Sequence, residues 1–598
     1  MNPLKIYFAK SEVLKNQISR ITRKLLWLSV LRLVVFVFII TTIIVFYNVS
    51  LSLTIVLGLF FIITFGLLFR YYNQQVWLKD FLKLKLDFCL AEIDMLEKDF
   101  YYVGDGGKEF LDMYHQFTYD LDVFGETSLF SFLNRTVTFS GKNLLASWIS
   151  EPDTEIVVLQ KRQEAARELS ARIDFRMNFY ATGRMYEEEK NDSIKIEDWL
   201  KEKDFLQKYH FWFMYLVPVL FLIFLGTAIL GISGWSMLWI PFILSIFVNM
   251  FNVRNMNKVH AIFSGRFKIM KKYSKLIDCI EQDEYTAELL MKQKRLLVDK
   301  REYSASKEIK QLTRLLDAFD YRLNIFAGFI LNSLLMWDFQ CVFALRRWKR
   351  KNRQRFSKWI NALAEFDALL SPANVIFNFP GNAFPDFIKN EGCLDGHDFV
   401  HPLLPADSRV PNSIQVKKKG FFTLITGANM AGKSTFLRSV GVNMLLGYCG
   451  SSVFAEKFNF SPSVLFTSMR TADSLYKNES YFYAELKRLK DLIDILESGK
   501  HAFILLDEIL KGTNSIDKQK GSAEVLKRLI SLDGTGIIAT HDLALAELER
   551  EMPENIDNKC FEVRLDKGKM YFDYKLRDGI AQNMNAGLLL KQLGIVKS

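Results

Sequence analysis

Between Leu33 and Phe69 the chain carries no Asp, Glu, Lys or Arg. A helix that crosses a bilayer takes about 20 apolar residues, so this run holds nearly two spans. Asn48 and Ser50 form the polar break between them. The pattern predicts one helix from about Leu25 to Tyr47 and a second from about Leu51 to Phe69, with Arg32 able to snorkel to the interface. A second charge-free run extends from Phe211 to Val253, with Gly231, Ser233 and Gly234 at its turn. Pro218 and Pro241 lie inside it, which spanning helices tolerate better than soluble ones. Two buried hairpins in a soluble core remain the alternative, but charge-free runs this long are rare there.

Flanking charge sets an orientation. Lys15, Arg20, Arg23 and Lys24 precede the first run, and Arg70 and Lys79 follow it. Lys201, Lys203 and Lys208 precede the second, and Arg254 and Lys258 follow it. Both tips are uncharged. Positive residues stay on the cytoplasmic side, so all flanks are expected inside and both tips outside, in the cell membrane. The first run is too long for a cleaved leader and leads straight into a second. A further apolar stretch, Leu323 to Leu345, contains Asn324, Asn332, Asp338 and Gln340 and ends in the basic run Arg346–Arg355. A span there would carry everything after it to the outer side, against the chemistry of the C-terminal motifs. It is therefore expected to be a buried or interfacial helix.

The net charge of +11 suits an anionic partner, either nucleic acid or a lipid surface. Cys89, Cys279, Cys341, Cys393, Cys449 and Cys560 are scattered, with no CxxC pair. That spacing argues against a zinc site or a disulfide framework and for a reduced compartment.

The chemistry is concentrated near the C-terminus. An apolar run, Phe421 to Ile425, enters the loop TGANMAGKST, which fits G-x-x-x-x-G-K-[ST] with Gly427, Gly432, Lys433 and Ser434. Glycines let backbone N–H groups close around phosphates, and the following helix N-terminus adds a favourable dipole. Lys433 is expected on the β- and γ-phosphates of ATP, and the Ser434 hydroxyl on Mg²⁺. A second apolar run, Phe503 to Leu506, leads to Asp507 and Glu508. There Asp507 would hold the Mg²⁺ shell and Glu508 would orient or deprotonate the attacking water. A third run ends in Thr540 and His541, where a histidine can sense the γ-phosphate. Between the first two runs, Ser480 begins an amphipathic pattern. It is either an ordinary helix start or a contact to the γ-phosphate held by a second subunit, and periodicity does not decide.

Taken together, these motifs resemble the MutS family. TGANMAGKSTFLR, with Asn429, Met430 and Thr435, is close to that family's P-loop. DEILKGTNSID resembles its Walker B segment, ATHD its switch histidine, and NESYFYAEL, with Ser480, Phe482 and Glu485, its trans-acting segment. Ser128–Ile149, Leu363–Phe377 and His401–Leu404 are similar to its helical core and the start of its ATPase. The resemblance covers roughly 115–200 and 255–590. It implies an α/β P-loop (ABC-type) ATPase domain, an all-α core and lever region, Mg²⁺-ATP as ligand, and a homodimer in which each chain completes the other's site. To this the chain adds two transmembrane hairpins. On these signals it divides into a cytoplasmic N-terminus (1–24), hairpin 1 (25–72), a first stretch of helical core (73–208), hairpin 2 (209–253), the lever with the rest of the core (254–400) and the ATPase (401–598).

There are departures. Residues 1–110 are expected to be mostly hairpin and flanks, where the family has a mismatch reader with a Phe-x-Glu wedge. Hairpin 2 falls near the family's DNA clamp. Arg409 stands where relatives carry an aromatic that stacks on adenine, and its planar guanidinium could stack in that place. The expected function is a membrane-anchored, ATP-dependent DNA-binding or DNA-sensing protein without mismatch specificity. The alternatives are a membrane-remodelling or signalling ATPase that binds no DNA, and, least favoured, a transporter. Four charge-free helices make a poor translocation path.

Overall fold

Hairpin 1 is built from two very long helices, α1 (Pro3–Phe46) and α2 (Leu51–Glu97). The computed structural model describes residues 2–46, 49–97, 104–188, 192–202, 208–263, 267–299, 303–389, 392–470, 481–511, 515–566 and 569–582. Both helices run well past the apolar segment, through Lys24 and Leu25 on one side and Tyr72 and Asn73 on the other. Pro3 opens α1 at a first-turn position, where its missing N–H costs nothing. After it, neither charged half, up to Lys24 in α1 and from Arg70 in α2, contains a Pro or Gly to stop the helix. At 1.5 Å per residue the two helices are roughly 65–70 Å long, about twice a bilayer's apolar core. Their apolar halves pack through the stacked Phe38 and Phe61 rings, 5.5 Å apart. Arg32 lies over the Tyr72 ring at 4.5 Å, bridging the two helices at the end of the apolar run.

The core follows as short helices: α3 (Leu129–Leu133), α4 (Phe139–Ser150), α5 (Ile156–Ser170), α6 (Ile173–Arg184) and α7 (Asp192–Lys201). Hairpin 2 is α8 (Lys208–Ile229) and, after a 3₁₀ turn at Trp235–Leu238, α9 (Trp239–Phe263). Four helices among the described residues are long and apolar enough to cross a membrane: Pro3–Phe46, Leu51–Glu97, His210–Ile229 and Trp235–Phe263. Their apolar side chains face outward, with Ile44, Val56, Leu222 and Phe251 all more than 60% exposed.

The chain returns to the core in α10 (Phe267–Gln282), α11 (Glu288–Leu297), the small ribbon β1 (Val298–Asp299) and β2 (Tyr303–Ser304), and α12 (Ala305–Asp320). The stretch expected to be one helix over Leu323–Leu345 is two. α13 (Ile325–Leu335) and α14 (Trp337–Asn378) meet at a 79° bend on Met336. Met336 takes a left-handed conformation, φ 53°, which ends α13 and opens α14 in a new direction. The first half of the stretch is exposed and the second half, with Phe339, Val342 and Leu345, is buried.

The basic run Arg346–Arg355 is also divided. Lys349 is buried, donating to the Glu202 carbonyl at 2.7 Å. Lys351 pairs with Glu308 at 2.6 Å, and Arg355 lies over the Tyr303 ring. The run therefore is not one free basic face.

α14 is the rod of the core, and its far end carries a buried polar network. Asp367 is fully buried and accepts from Val137 N (3.0 Å), Thr138 N (2.7 Å) and Thr138 Oγ1 (2.6 Å). A Cβ on Gly141 would lie 2.2 Å from the Asp367 carboxylate, so only glycine fits the start of α4. Burial pushes the Asp367 carboxyl up to about 6 against these bonds. Farther along, Asn378 accepts from Tyr7 Oη of α1 (2.9 Å) and donates to Glu92 of α2 (2.7 Å). Glu92 in turn holds Arg135 at 2.5 Å. Hairpin 1 is thereby fastened to the end of α14 by paired, buried groups, the arrangement such groups require.

The remaining strands are β3 (Leu394–Phe399), β4 (Asn412–Val416), β5 (Phe422–Gly427), β6 (Lys457–Phe460), β7 (Val464–Ser468), β8 (Ala502–Asp507), β9 (Thr535–Thr540), β10 (Ile556–Asp566) and β11 (Lys569–Asp578). They make a three-stranded antiparallel sheet, β4-β3-β6, and a six-stranded sheet, β11-β10-β5-β9-β8-β7. The larger sheet is parallel except for the β10–β11 pair. Every residue of β5 and β9 is buried, as in a sheet covered on both faces. The covering helices include α15 (Lys433–Tyr448), α16 (Tyr481–Glu497) and α17 (Ser515–Ser531).

Candidate active site

β5 and β8 are separated in the sheet only by β9, so their C-terminal ends lie almost side by side. Asp507 pairs with Ala539 in register, and Thr426 pairs with Thr540. The loop after β5 therefore meets the acidic end of β8 and the residue after β9, the crevice position where ligands of open α/β sheets bind.

The loop geometry suits phosphate. Gly427 has φ 153° and a Cβ there would lie 2.8 Å from the Phe561 carbonyl, while Gly432 has φ 99°. Lys433, at the first turn of α15, is 5% exposed and donates from Nζ to the Gly427 (2.7 Å) and Ala428 (3.0 Å) carbonyls. Burial pulls its ammonium below the usual value, against the raising effect of Asp507 and Glu508. Ser434 Oγ donates to Asp507 Oδ2 at 2.5 Å, so a hydroxyl and a carboxylate oxygen converge where a hard cation would sit.

Glu508 is held in the left-handed region, φ 58°, with its N–H bonded to Ala539 O at 2.8 Å. Its Oε1 lies 2.8 Å from His541 Nδ1, and Lys518 Nζ is 4.0 Å from Oε2. Burial raises the carboxyl, but the His541 hydrogen bond and charge, with Lys511 and Lys518, leave it below its ordinary value. It is an ionised carboxylate oriented by a histidine.

These groups open onto a cleft of about 740 Å³ lined by Asn429, Met430, Gly432, Lys433, Ser434, Thr435, Asp507 and Glu508. Gly427 contributes through Lys433, and His541 through Glu508. Ser480 lies outside the described residues. Glu485 of the same segment is described: buried, it accepts from Leu510 N (2.7 Å) and Lys511 N (3.1 Å), joining α16 to the loop after Glu508.

Arg409, the expected stacking residue, is turned toward its own loop. Its guanidinium donates to the Leu404 (2.8 Å) and Pro402 (2.9 Å) carbonyls and lies over the Phe454 ring, outside the cleft lining. Short carbonyl acceptors within its own loop capture the side chain before it can reach the cleft. The far wall is instead Leu404, Ser408, Val410, Asn412 and Tyr574. Asn412 ties β4 to β11, donating to Tyr574 O at 2.9 Å and accepting from Leu576 N at 2.7 Å. No local motif marks Asn412 or Tyr574. They reach the cleft because β11 folds back antiparallel on β10 beside the P-loop strand.

The core grips this domain through Asp120 and Asp122. Asp120 is fully buried, accepts from Thr467 Oγ1 (2.6 Å) and pairs with Arg488 (2.9 Å). Asp122 pairs with Arg470 (2.6 Å) and Arg438 (3.3 Å), the latter on the P-loop helix α15.

Fold and site together define an α/β sheet domain with a P-loop sequence, joined to a helical core. Residues 423–596 match the model of MutS domain V, and residues 111–207 match that of MutS domain III. Over these two segments the chain is similar to the MutS family. It is 30% identical over 251 residues to the DNA mismatch repair protein MutS of Thermotoga petrophila, a match covering 41% of this chain and 31% of that one. It is 31% identical over 211 residues to MutS protein homolog 4 of Homo sapiens, covering 34% and 22%. The DNA mismatch repair protein msh3 of Aspergillus oryzae is 29% identical over 238 residues, covering 38% and 21%. The matches thus span about a third or less of the length of these relatives.

Among the described residues no His, Cys, Asp and Glu cluster of three or more could hold a metal ion, and the six cysteines are all unbridged.

Proposed function

We propose that this chain binds and hydrolyses Mg²⁺-ATP in the cleft, and that it does so at a membrane. The carrying observation is the convergence of Lys433, Ser434, Asp507, Glu508 and His541 at the ends of three adjacent strands. Loop N–H groups and Lys433 receive the β- and γ-phosphates. Ser434 and Asp507 hold Mg²⁺, which when bound neutralises charge developing on the phosphate oxygens. Glu508 orients the attacking water and accepts its proton, and His541 keeps that carboxylate aimed. A second copy completing the site belongs to this reading. Met430, 71% exposed at the cleft, is a contact it would cover.

Removing Lys433 (Lys433→Ala) is expected to abolish nucleotide binding. Glu508→Gln is expected to keep binding and lose roughly 10²–10⁴-fold in turnover, the usual weight of a general base. Near-normal turnover in Glu508→Gln would place the water-activating group elsewhere.

The membrane half of the proposal rests on the four outward-facing apolar helices and their positive flanks. DNA is the anionic ligand this reading favours, on the net charge of +11 and the function named for the relatives. Binding would be through phosphates, hence steeply salt-dependent and nearly blind to mismatches. A second reading, a membrane-remodelling or signalling ATPase that binds no DNA, is favoured by the internal pairing of Lys349 and Lys351. Electrophoretic shift of the solubilised protein separates the two. Phosphate binding predicts matched and mismatched duplexes within about threefold of each other, below the roughly 1 kcal/mol of a weak base contact. No shift at low salt supports the second reading.

A further inference from the structure

α13 is an apolar helix that neither the nucleotide site nor the two hairpins account for. Ile325 and Phe326 are 82% exposed, and Leu323, Phe329 and Ile330 are more than half exposed. Its other side packs on hairpin 2, where Ser245 Oγ of α9 donates to Asn332 O at 2.7 Å, and Phe329, at the edge of the exposed face, reaches the Phe242 ring 5.9 Å away. The exposed face therefore continues the lipid-facing surface proposed for α8 and α9. At 1.5 Å per residue, its 11 residues extend about 16 Å, half of a bilayer's apolar thickness.

Its two ends stay at one level. Arg322, just before α13, pairs with Asp338, just after it, at 3.1 Å. Trp337 Nε1 donates to Ala318 O at 2.8 Å, tying the start of α14 back to the end of α12. Asn332 Oδ1 accepts from Asp338 N at 2.9 Å across the bend. α12 and α14 both pack in the helical core, so the chain leaves the core and returns to it on the same side. A crossing helix would separate Arg322 and Asp338 by the bilayer thickness.

From this geometry, and resting on the reading that hairpin 2 lies in a bilayer, we infer that α13 is a membrane-embedded element that does not cross. Its exposed face inserts among the acyl chains of the cytoplasmic leaflet, and the Arg322–Asp338 pair marks the headgroup level. Helices of this kind bury their apolar face about 5–10 Å deep. The occupant of the face is lipid, because the face is continuous with hairpin 2. The consequence is mechanical: rod α14 starts in the leaflet and ends at Asn378, shortly before the Ala383–Val453 bridge that joins the ATPase. The ATPase thus holds the membrane at α13 as well as through hairpin 1.

The test uses the full chain in nanodiscs of phosphatidylcholine and phosphatidylglycerol, with Cys279→Ser and Cys393→Ser to remove the half-exposed thiols. Spin labels are placed one at a time at Phe326→Cys and Ile330→Cys. Ile223→Cys in hairpin 2 and Val157→Cys in the core serve as references. These are exposed positions (Phe326 82%, Val157 59%), so the substitutions remove little packing. Accessibility is read with oxygen and with a water-soluble nickel chelate. The expected result is an oxygen-over-nickel ratio at Phe326 and Ile330 severalfold above that at Val157, at a shallower depth than Ile223. If Phe326 matches Val157 while Ile223 stays oxygen-rich, α13 lies in water and the inference fails alone. If Ile223 is also open to nickel, the membrane reading fails and takes the inference with it. Exclusion of both reagents from Phe326 would place protein, such as a second copy, on the face and would equally overturn it.

Discussion

Removing Glu485 should disarm hydrolysis without emptying the nucleotide site. Its carboxylate is 4% exposed and accepts two backbone N–H bonds, from Leu510 and Lys511. Those bonds hold a loop in which Glu508 (φ 58°) and Leu510 (φ 59°) both sit in the left-handed region. Each such residue costs on the order of 1–3 kcal/mol when it is not glycine. Each bond to a buried carboxylate contributes roughly 1.5–3 kcal/mol. The two terms are of similar size, so the loop keeps its conformation only while both bonds are made. Glu485→Ala leaves the buried Leu510 N–H and the part-buried Lys511 N–H without this acceptor, and the loop is expected to relax and carry Glu508 away from the water. A loss near 3 kcal/mol in the transition state lowers turnover about 100-fold. Glu485→Gln keeps one acceptor oxygen and should lose about tenfold on the same scale. The assay is steady-state ATP hydrolysis beside a fluorescent-nucleotide titration, since Lys433 and the phosphate loop are untouched and affinity should change little. Wild-type turnover in Glu485→Ala would show that the loop is held by other contacts.

Two further outcomes are expected. A cysteine at Gly234, in the turn of hairpin 2, or at Asn48, which lies outside the described residues, should react with an impermeant thiol reagent in intact cells. Labelling of native Cys560, buried in the six-stranded sheet, would instead overturn the orientation. His401, at the cleft, is pushed down to about 4, first by burial and then by Arg438. The unfolded chain takes up this proton below about pH 6.5 and the folded chain does not, so stability should fall as pH drops from there toward about 4. Melting temperatures from pH 7 to 5 should flatten in His401→Gln, and an unchanged slope would remove His401 from the acid response.

The sequence alone determined the regions whose signal is local. A phosphate loop needs glycines, Lys433 and Ser434 at fixed offsets after a strand. Asp507, Glu508 and His541 each follow directly on a short apolar run, so their place at strand ends was legible. The two apolar hairpins were legible for the same reason, because charge-free length needs no partner to be read. Helix ends were not: α1 and α2 run far beyond their apolar halves because no Pro or Gly stops them. What only the tertiary structure decided depends on segments distant in sequence. Antiparallel return of β11 brings Tyr574 to the cleft, and nearby carbonyls turn Arg409 away from it. The basic run looked uniform as a string, yet the faces of α14 bury Lys349 and leave Arg347 and Arg353 exposed. The stretch from Leu323 to Leu345 breaks at Met336 because Arg322, Asn332 and Asp338 close a polar elbow across it. Local composition records how apolar a segment is, whereas which face it buries and where it bends depend on partners the fold supplies.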